Sequence, residues 1–283
     1  MSLDKNWYTE AAGGFAMSLE ITEKLHEEQT PYQKLEIFET RSFGRLMTLD
    51  GLTMLTSRDN FVYHEMMSHP ALFYHSNPEH VAIVGGGDCG TLREVLKHDS
   101  VVTATQIELD ERVTRVSEKY FPELCESNND ERARLLFEDA IAWMRNAKPE
   151  TLDVIILDTT DPVGQAKRLF AEPFYRDCLN ALREGGIVVA QSESPLFNLD
   201  LIQDMRSEMD KADFTEMRTL HFPQVTYPSG WWSATIARKG QGFGDFREQA
   251  ARNKSFQTRY YNADIHTASA ALPQFMQDVL QQK

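Results

Sequence analysis

Residues 81–110 read VAIVGGGDCGTLREVLKHDSVVTATQIELD, and this stretch decides the fold. A short β-branched run at residues 81–84 meets a glycine-rich turn, and residues 91–97 have the composition of a helix. A second apolar run then ends at Glu108. Strand, glycine turn, helix, strand and a carboxylate about 20 residues on form the nucleotide-binding arrangement of a βαβ unit. The alternative is a tight strand-to-helix turn that binds no ligand.

Asp88 makes this glycine turn unusual. Glycines let the backbone approach a ligand closely, and a helix N-terminus favours anions such as a pyrophosphate. A carboxylate at that position would repel a pyrophosphate, and also the carboxylate of a methionine-derived tail. We therefore expect a nucleoside ligand that carries a cation near the turn, with Glu108 accepting both ribose hydroxyls. For Glu108 the alternative is a solvated strand end.

Composition and charge narrow the class of protein. The 283-residue chain is 41% hydrophobic and carries a formal net charge of −14. This charge argues against nucleic-acid partners, which need basic patches, and is compatible with a cationic substrate. No apolar run approaches the ~18 residues of a membrane span, and the first residues form no apolar signal segment. The three cysteines show no metal-ligand spacing, so we expect a cytoplasmic protein with reduced thiols and no bound metal.

The chain as a whole predicts two parts, residues 1–57 and 58–283. In the first, residues 32–40, 43–49 and 52–56 read as half-buried strands. In the second, strands and helices alternate up to a closing antiparallel pair. The predicted fold class is α/β, with a small N-terminal β-stranded domain followed by a seven-stranded sheet covered on both faces. Ser57 is a candidate N-cap for the first helix, and residues 265–280 are predicted as one amphipathic helix.

Four carboxylates follow successive predicted strands: Asp88, Glu108, Asp139 and Asp158. Because ligands of open parallel sheets bind beyond the carboxyl ends of the strands, we expect these side chains on one rim. Asp139 is a candidate contact to an adenine amino group, or alternatively only an N-cap for the helix that starts at Ala140. Asp158 and Asp161 are candidates for holding a polyamine, and the alternative is an Asx-turn before Pro162.

This set of residues favours transfer of an aminopropyl group. The tail carboxylate of S-adenosylmethionine would meet Asp88 unfavourably, which argues against a methyltransferase. Without that carboxylate the tail ends in an ammonium, and Asp88 becomes a ligand. The sulfonium makes the adjacent propyl carbon electrophilic, so that an amine can displace it in line. The amine arrives protonated and needs a general base, for which Asp158 is the candidate, assisted by the hydroxyl of Tyr63 or Tyr227.

Many motifs together resemble the spermidine synthase family of aminopropyltransferases, over essentially the whole chain. They are TPYQ (30–33), FGRLMTLDG (43–51), YHEMMSH (63–69), VGGGDCGTLREVLKH (84–98), IELD (107–110), DTTDPVG (158–164), QSES (191–194), TYPSG (226–230) and YYNADIH (260–266). So many motifs in the right order are far more specific than a lone glycine turn.

The resemblance implies an N-terminal β-stranded domain, a methyltransferase-like Rossmann domain, and dimers or tetramers formed through the N-terminal region. It implies decarboxylated S-adenosylmethionine as co-substrate, without a prosthetic group, putrescine as acceptor, and spermidine and 5'-methylthioadenosine as products. The residues implied for the donor are Gln33, Asp88, Glu108, Asp139, Ala140, Thr159 and Gln165. Those implied for the amine and the aminopropyl group are His64, Asp88, Asp158, Asp161, Tyr63, Tyr227 and Met54. Residues 158–170 are implied as a gate over both substrates.

The chain departs from the family pattern at four positions. Met54 stands where glutamine is usual, Asn60 where glutamate is usual, Ala140 where glycine is common and Gln165 where proline is common. Loss of a polar group from the amine channel could shift the choice of acceptor, so Met54 and Asn60 matter most.

Three hypotheses follow. The first is formation of spermidine from putrescine, and the second is an aminopropyltransferase that uses agmatine, cadaverine or spermidine. The third is a non-catalytic protein that binds a nucleoside or a polyamine. The presence of Asp88, Asp158 and Asp161 together disfavours the third, because a binding protein has no need of a base.

Overall fold

The computed structural model describes residues 6–160, 164–240 and 242–280. Five antiparallel strands in sequential order form the first sheet. The last three confirm the strands expected at residues 32–56, whereas the first two were not located from the sequence. The second strand shows no clear alternation, since only Leu19 among its 15 residues is buried. The strands are β1 (Trp7–Ala12), β2 (Phe15–Gln29), β3 (Lys34–Thr40), β4 (Gly44–Leu49) and β5 (Leu52–Thr56).

Seven strands form the second sheet, in the spatial order β11-β12-β10-β9-β6-β7-β8. The predicted seven-stranded α/β architecture is therefore confirmed, including the closing pair, because β12 runs antiparallel to both β10 and β11. The strands are β6 (His80–Gly85), β7 (Thr103–Glu108), β8 (Ala133–Phe137), β9 (Leu152–Asp158), β10 (Leu182–Gln191), β11 (Glu216–Pro223) and β12 (Trp231–Arg238).

The order of these strands creates a topological switch point between β6 and β9. From β6 the chain moves outward to β7 and β8, and it then returns to the other side of β6 as β9. The two central strands are parallel and pair Gly85 with Asp158. Ligands of open α/β sheets bind at such a point, beyond the carboxyl ends of the strands.

The helices differ from the predicted ones at two places. Ser57 does not cap the first helix, because its hydroxyl accepts a hydrogen bond from the Arg45 amide of β4 instead (3.3 Å). Residues 265–280 form two short helices, since Pro273 has no amide hydrogen to continue a helix. The helices are α1 (Asn60–Tyr74), α2 (Gly90–Leu96), α3 (Glu111–Tyr120), α4 (Ala140–Arg145), α5 (Glu172–Ala181), α6 (Leu199–Lys211), α7 (Glu248–Arg252), α8 (Ala263–Ser269) and α9 (Gln274–Leu280).

The core lies on both faces of the second sheet, because successive side chains of a strand point to opposite faces. Val154 and Ile156 of β9 pack on the face that α1 and α2 cover. Ile155 and Leu157 pack on the other face, with α5 and α6. All of β9 is buried, as expected for a central strand. The strand end at Asp158 is therefore rigidly placed.

The first sheet packs directly on the glycine turn and α3. Leu35 and Met47 of this sheet share a buried cluster with Cys89 and Val113. A buried hydrogen bond of 2.7 Å also joins the Thr30 hydroxyl to the Asp110 carboxylate. This bond ties the loop after β7 to the loop between β2 and β3 of the first sheet. Among the helices that the structure describes, none has the length and apolar character that a membrane span needs.

Candidate active site

The glycine turn and the end of β9 touch through their backbones. The Gly86 amide donates to the backbone oxygen of Asp158 (2.7 Å). A Cβ atom on Gly85 would lie 2.2 Å from that same oxygen, and the φ of Gly85 is +80°. Only glycine fits there. The predicted glycine turn is therefore the means by which two central strands bring Asp88 and Asp158 to one crevice.

Both carboxylate oxygens of Asp158 accept hydrogen bonds. The Tyr63 hydroxyl of α1 donates to Oδ1 (2.7 Å), and the Thr91 hydroxyl of α2 donates to Oδ2 (2.6 Å). Burial and the neighbouring Asp88 carboxylate raise the pKa of Asp158 above its ordinary value. Burial and Asp158 also raise the pKa of Tyr63 well above its ordinary value, so the phenol keeps its proton and acts as a donor.

Asp88 pairs with His64 of α1. The Nε2 atom of His64 lies 3.1 Å from Asp88 Oδ1, which also accepts from the Gly90 amide (2.7 Å). Burial opposes ionisation of both groups, but their mutual attraction outweighs it, so the pKa of His64 is raised and that of Asp88 is lowered. A Cβ atom on Gly90 would lie 2.2 Å from the His64 ring. This glycine therefore makes room for the ion pair.

Glu108 ends β7 beside the same turn. Its Oε1 atom accepts from the Asp110 amide (2.9 Å), and a Cβ atom on Gly87 would lie 2.9 Å from its Oε2. Burial raises the pKa of Glu108 to about 7, against the opposing effect of the Asp110 amide. Gln33 lies next to it and donates to the Asp110 carboxylate (3.1 Å). Gln33 and Glu108 therefore meet at Asp110, and neither is among the described residues that line the cavity beside Tyr63.

The structure describes the surroundings of Asp139 and Thr159, two of the other residues predicted to contact the nucleoside. Asp139 is exposed and its Oδ1 caps α4 through the Ile141 amide (2.8 Å), which is the alternative role considered for it. Contact of Asp139 and Ala140 with an adenine stays a prediction. Thr159 directly follows Asp158, and its buried hydroxyl has no hydrogen-bond partner within the described part of the chain.

Two further predicted residues fall where the structure gives no side-chain description. Asp161 lies outside the described residues. Gln165 belongs to the 3₁₀ segment Gly164–Phe170, but its side chain is not among those described. Their roles stay predictions.

A cavity of about 430 Å³ opens beside Tyr63, at the interface of the two sheets. Tyr227, Met54 and Trp232 form part of its wall. The Tyr227 hydroxyl donates to the backbone oxygen of Met54 (2.6 Å) rather than to Asp158. The Tyr63 and Tyr227 rings meet edge to face, with centroids 5.9 Å apart. The two tyrosines therefore shape the cavity next to Asp158.

Sequence profiles of known families match most of the chain, up to residue 244. The profile described as the spermine/spermidine synthase domain matches residues 60–244, and the spermidine synthase tetramerisation domain matches residues 6–57. The chain belongs to the spermine/spermidine synthase family. The family predicted from the motifs is thereby confirmed.

Curated relatives and solved structures agree with this aminopropyltransferase assignment. The polyamine aminopropyltransferase of Thioalkalivibrio sulfidiphilus is 58% identical over 281 residues, 99% of each chain. That of Methylococcus capsulatus is 58% identical over 280 residues, 98% of each chain. A crystal structure of spermidine synthase in complex with the transition-state analogue AdoDATO has a TM-score of 0.94 at 38% identity, covering 99% of this chain and 97% of that one. Spermidine synthase from Thermotoga maritima gives 0.91 at 38% identity, covering 97% and 94%.

Met54 and Asn60, the two departures from the family pattern that were expected to matter most in this aminopropyltransferase, lie in different surroundings. Met54 is half-buried in the cavity wall. Asn60 is buried at the start of α1, where its side chain donates to the Thr56 backbone oxygen (2.7 Å). Asn60 is not among the described residues that line the cavity. Of these two positions, only Met54 is among the described residues of the cavity wall.

Sequence reasoning missed two buried glutamates on the cavity wall. Glu10 lies on β1 and is 8% exposed, and its carboxylate accepts from the Thr53 amide (2.8 Å). Glu193 follows β10 and is 6% exposed, with a φ of +62°. Glu193 belongs to the QSES motif and could have been selected for that reason. Glu10 could not, because β1 itself was not located.

Proposed function

We propose that this chain transfers the aminopropyl group of decarboxylated S-adenosylmethionine to putrescine, forming spermidine and 5'-methylthioadenosine. The observation that carries the proposal is the charge of the cavity beside Asp158. Its described lining includes Glu10 and Glu193 but no lysine, arginine or histidine. Buried carboxylates in the wall of a cavity favour a ligand that carries positive charge.

The donor is proposed to lie across the glycine turn. Glu108 accepts hydrogen bonds from the ribose hydroxyls, with Gln33 nearby, while Asp139 and Ala140 meet the adenine. Asp88, which is paired with His64, holds the ammonium end of the aminopropyl group. The spermidine synthase solved in complex with the transition-state analogue AdoDATO supports a ligand of this kind.

The acceptor is proposed to lie in the cavity, with one amine next to Asp158 and the other towards the glutamates. Asp158 takes a proton from the near amine, whose lone pair then attacks the propyl carbon next to the sulfonium. The carbon–sulfur bond breaks, and its electron pair stays on sulfur. Tyr63 holds the base in place through its hydroxyl, and the two bound substrates react as neighbours, which contributes much of the rate.

A second candidate function is aminopropyl transfer to another amine. Met54 favours it, because an apolar side chain in the cavity wall accommodates methylene groups more readily than it binds an ammonium. Agmatine, cadaverine and spermidine are the acceptors considered.

An amine panel tests both candidates. The purified chain is given decarboxylated S-adenosylmethionine and, separately, putrescine, cadaverine, agmatine and spermidine, and the release of 5'-methylthioadenosine is measured. We expect the highest kcat/KM with putrescine. Higher values with another amine would favour the second candidate, and release with none of them would contradict the enzymatic function.

The raised pKa of Glu108 predicts a pH dependence for binding of the nucleoside product. A carboxylate that accepts two ribose hydroxyls must be ionised, so the ligand lowers the pKa of Glu108 from its free value of about 7. The affinity for 5'-methylthioadenosine should therefore fall roughly tenfold from about pH 8 to about pH 6. Calorimetric titration at several pH values measures it, and Glu108→Gln should bind more weakly with a flat profile. An unchanged slope in that variant would assign the titration to another group.

We also propose that the chain self-associates through the first sheet and functions in the cytoplasm. The tetramerisation profile covers residues 6–57, which supports division of the chain into a domain of residues 1–57 and a catalytic domain of residues 58–283. Light scattering at several protein concentrations would test the assembly.

A further inference from the structure

The two oxygens of the Asp158 carboxylate lie in different surroundings. Oδ2 accepts from Thr91, whose side chain is fully buried, and it is covered by the glycine turn. A Cβ atom on Gly86 would lie 3.0 Å from this oxygen. Oδ1 accepts from Tyr63, which lines the acceptor cavity. One oxygen thus faces the protein interior and the other faces the cavity side.

We propose that Thr91 is a positioning residue for the base: by donating to Oδ2, it keeps the carboxylate ionised with Oδ1 turned to the acceptor amine, whose proton Oδ1 accepts. The inference rests on the proposed function, which supplies the amine. The N–H bond of the ammonium breaks and its proton passes to Oδ1. The nitrogen lone pair forms the new bond to the propyl carbon, and the electrons of the broken carbon–sulfur bond remain on sulfur.

The charges around Asp158 explain why an uncharged hydrogen-bond donor, the Thr91 hydroxyl, matters for this carboxylate. Asp88 on the glycine turn and Glu108 on β7 are acidic neighbours, and His64 on α1 is the cation that opposes them. Tyr63 and Thr91 are the two hydroxyls that bind the carboxylate. Because a hydrogen bond to the charged form favours ionisation, Thr91 keeps the base able to accept a proton near neutral pH.

The Thr91→Val variant tests the proposal, since valine retains the branched shape but has no hydroxyl. Loss of one hydrogen bond to a charged group should move the acid limb of the kcat profile upward by about one to two pH units. At pH values above the limb, kcat should return towards the wild-type value. Thr91→Ser keeps the hydroxyl, so its limb should stay near that of the wild type. The pH profiles of kcat are measured at saturating concentrations of both substrates. A difference in the position of the acid limb between variants then reports a group of the enzyme rather than the titration of a free substrate.

Thr114→Val is the matched control. Thr114 is also fully buried, and its hydroxyl donates to the backbone oxygen of Gly87 in the same turn (2.9 Å). Its removal should lower thermal stability much as Thr91→Val does, without moving the acid limb. A Thr91→Val enzyme with an unmoved limb, whether its kcat is normal or lowered equally at all pH values, would overturn the proposal. Absence of aminopropyl transfer by the wild type would instead contradict the proposed function.

Discussion

Asp158→Asn is expected to lower kcat by about 10²–10⁴-fold, the usual contribution of a general base. The amide has nearly the shape of the carboxylate but cannot take the proton of the acceptor amine. Its NH₂ group also faces one of the two hydroxyls, of Tyr63 and Thr91, that donate to the carboxylate. Affinity for 5'-methylthioadenosine should stay within a few fold of the wild type, because this product contains neither the aminopropyl group nor the acceptor amine on which the base acts. Steady-state kinetics and calorimetric titration measure the two quantities.

Asp153→Asn is the control for this experiment. Asp153 lies on the same strand, β9, and is 2% exposed. It accepts from the amides of Glu79 and His80 at the opposite end of the strand (2.9 and 2.8 Å). We expect a lower melting temperature but a kcat within a few fold of wild type. Near-normal turnover in Asp158→Asn, or an equal loss in both variants, would remove Asp158 as the base.

Asp88→Asn is expected to lower kcat/KM for decarboxylated S-adenosylmethionine by roughly 10- to 100-fold, the effect of losing a hydrogen bond to a charged group. The loss should be confined to ligands whose propyl chain ends in an ammonium without a neighbouring carboxylate. Binding of 5'-methylthioadenosine should change little, since that product has lost the aminopropyl group. Competition assays with both ligands separate these effects.

For S-adenosylmethionine, we expect Asp88→Asn to have the opposite effect on affinity. Its tail carries a carboxylate that the ionised Asp88 repels, so a neutral asparagine should strengthen its inhibition of the enzyme. The preference for decarboxylated S-adenosylmethionine over S-adenosylmethionine should therefore decrease for two reasons: the first ligand binds more weakly and the second more tightly. Equal weakening of every nucleoside ligand would show instead that Asp88 only maintains the shape of the turn.

The residues that could be predicted from the sequence are those at the ends of strands. Asp88, Glu108 and Asp158 follow apolar runs whose parallel arrangement places their carboxyl ends on one edge, and the structure brings them to the glycine turn. The motif resemblance added residues such as Tyr63 and His64. Their placement beside Asp158 and Asp88 depends on how α1 packs. Strand patterns could not predict that packing, and the two residues were selected only because they belong to a family motif.

The residues that could not be predicted depend on contacts between distant parts of the chain. Glu10 lies on a strand whose apolar pattern is too weak to recognise, and it reaches the cavity only because the first sheet packs on the second. Thr91 reads as an ordinary residue in the first turn of a helix. Its contact with Asp158 spans 67 residues of sequence. For Asn60, the departure from the family pattern did not indicate that its side chain is buried against the Thr56 backbone oxygen, so its effect on the choice of amine stays a prediction.

The position of the cavity between the two sheets has a consequence for how such an enzyme diversifies. In the proposed function, donor recognition rests mainly on β6, β7 and the turn between β6 and α2, whereas β1 and β5 contribute Glu10 and Met54 to the cavity wall. Substitutions in the first sheet can therefore retune which amine is used while the nucleoside half stays intact. A descendant with a new acceptor needs no new catalytic machinery, only a different inner surface on its N-terminal strands.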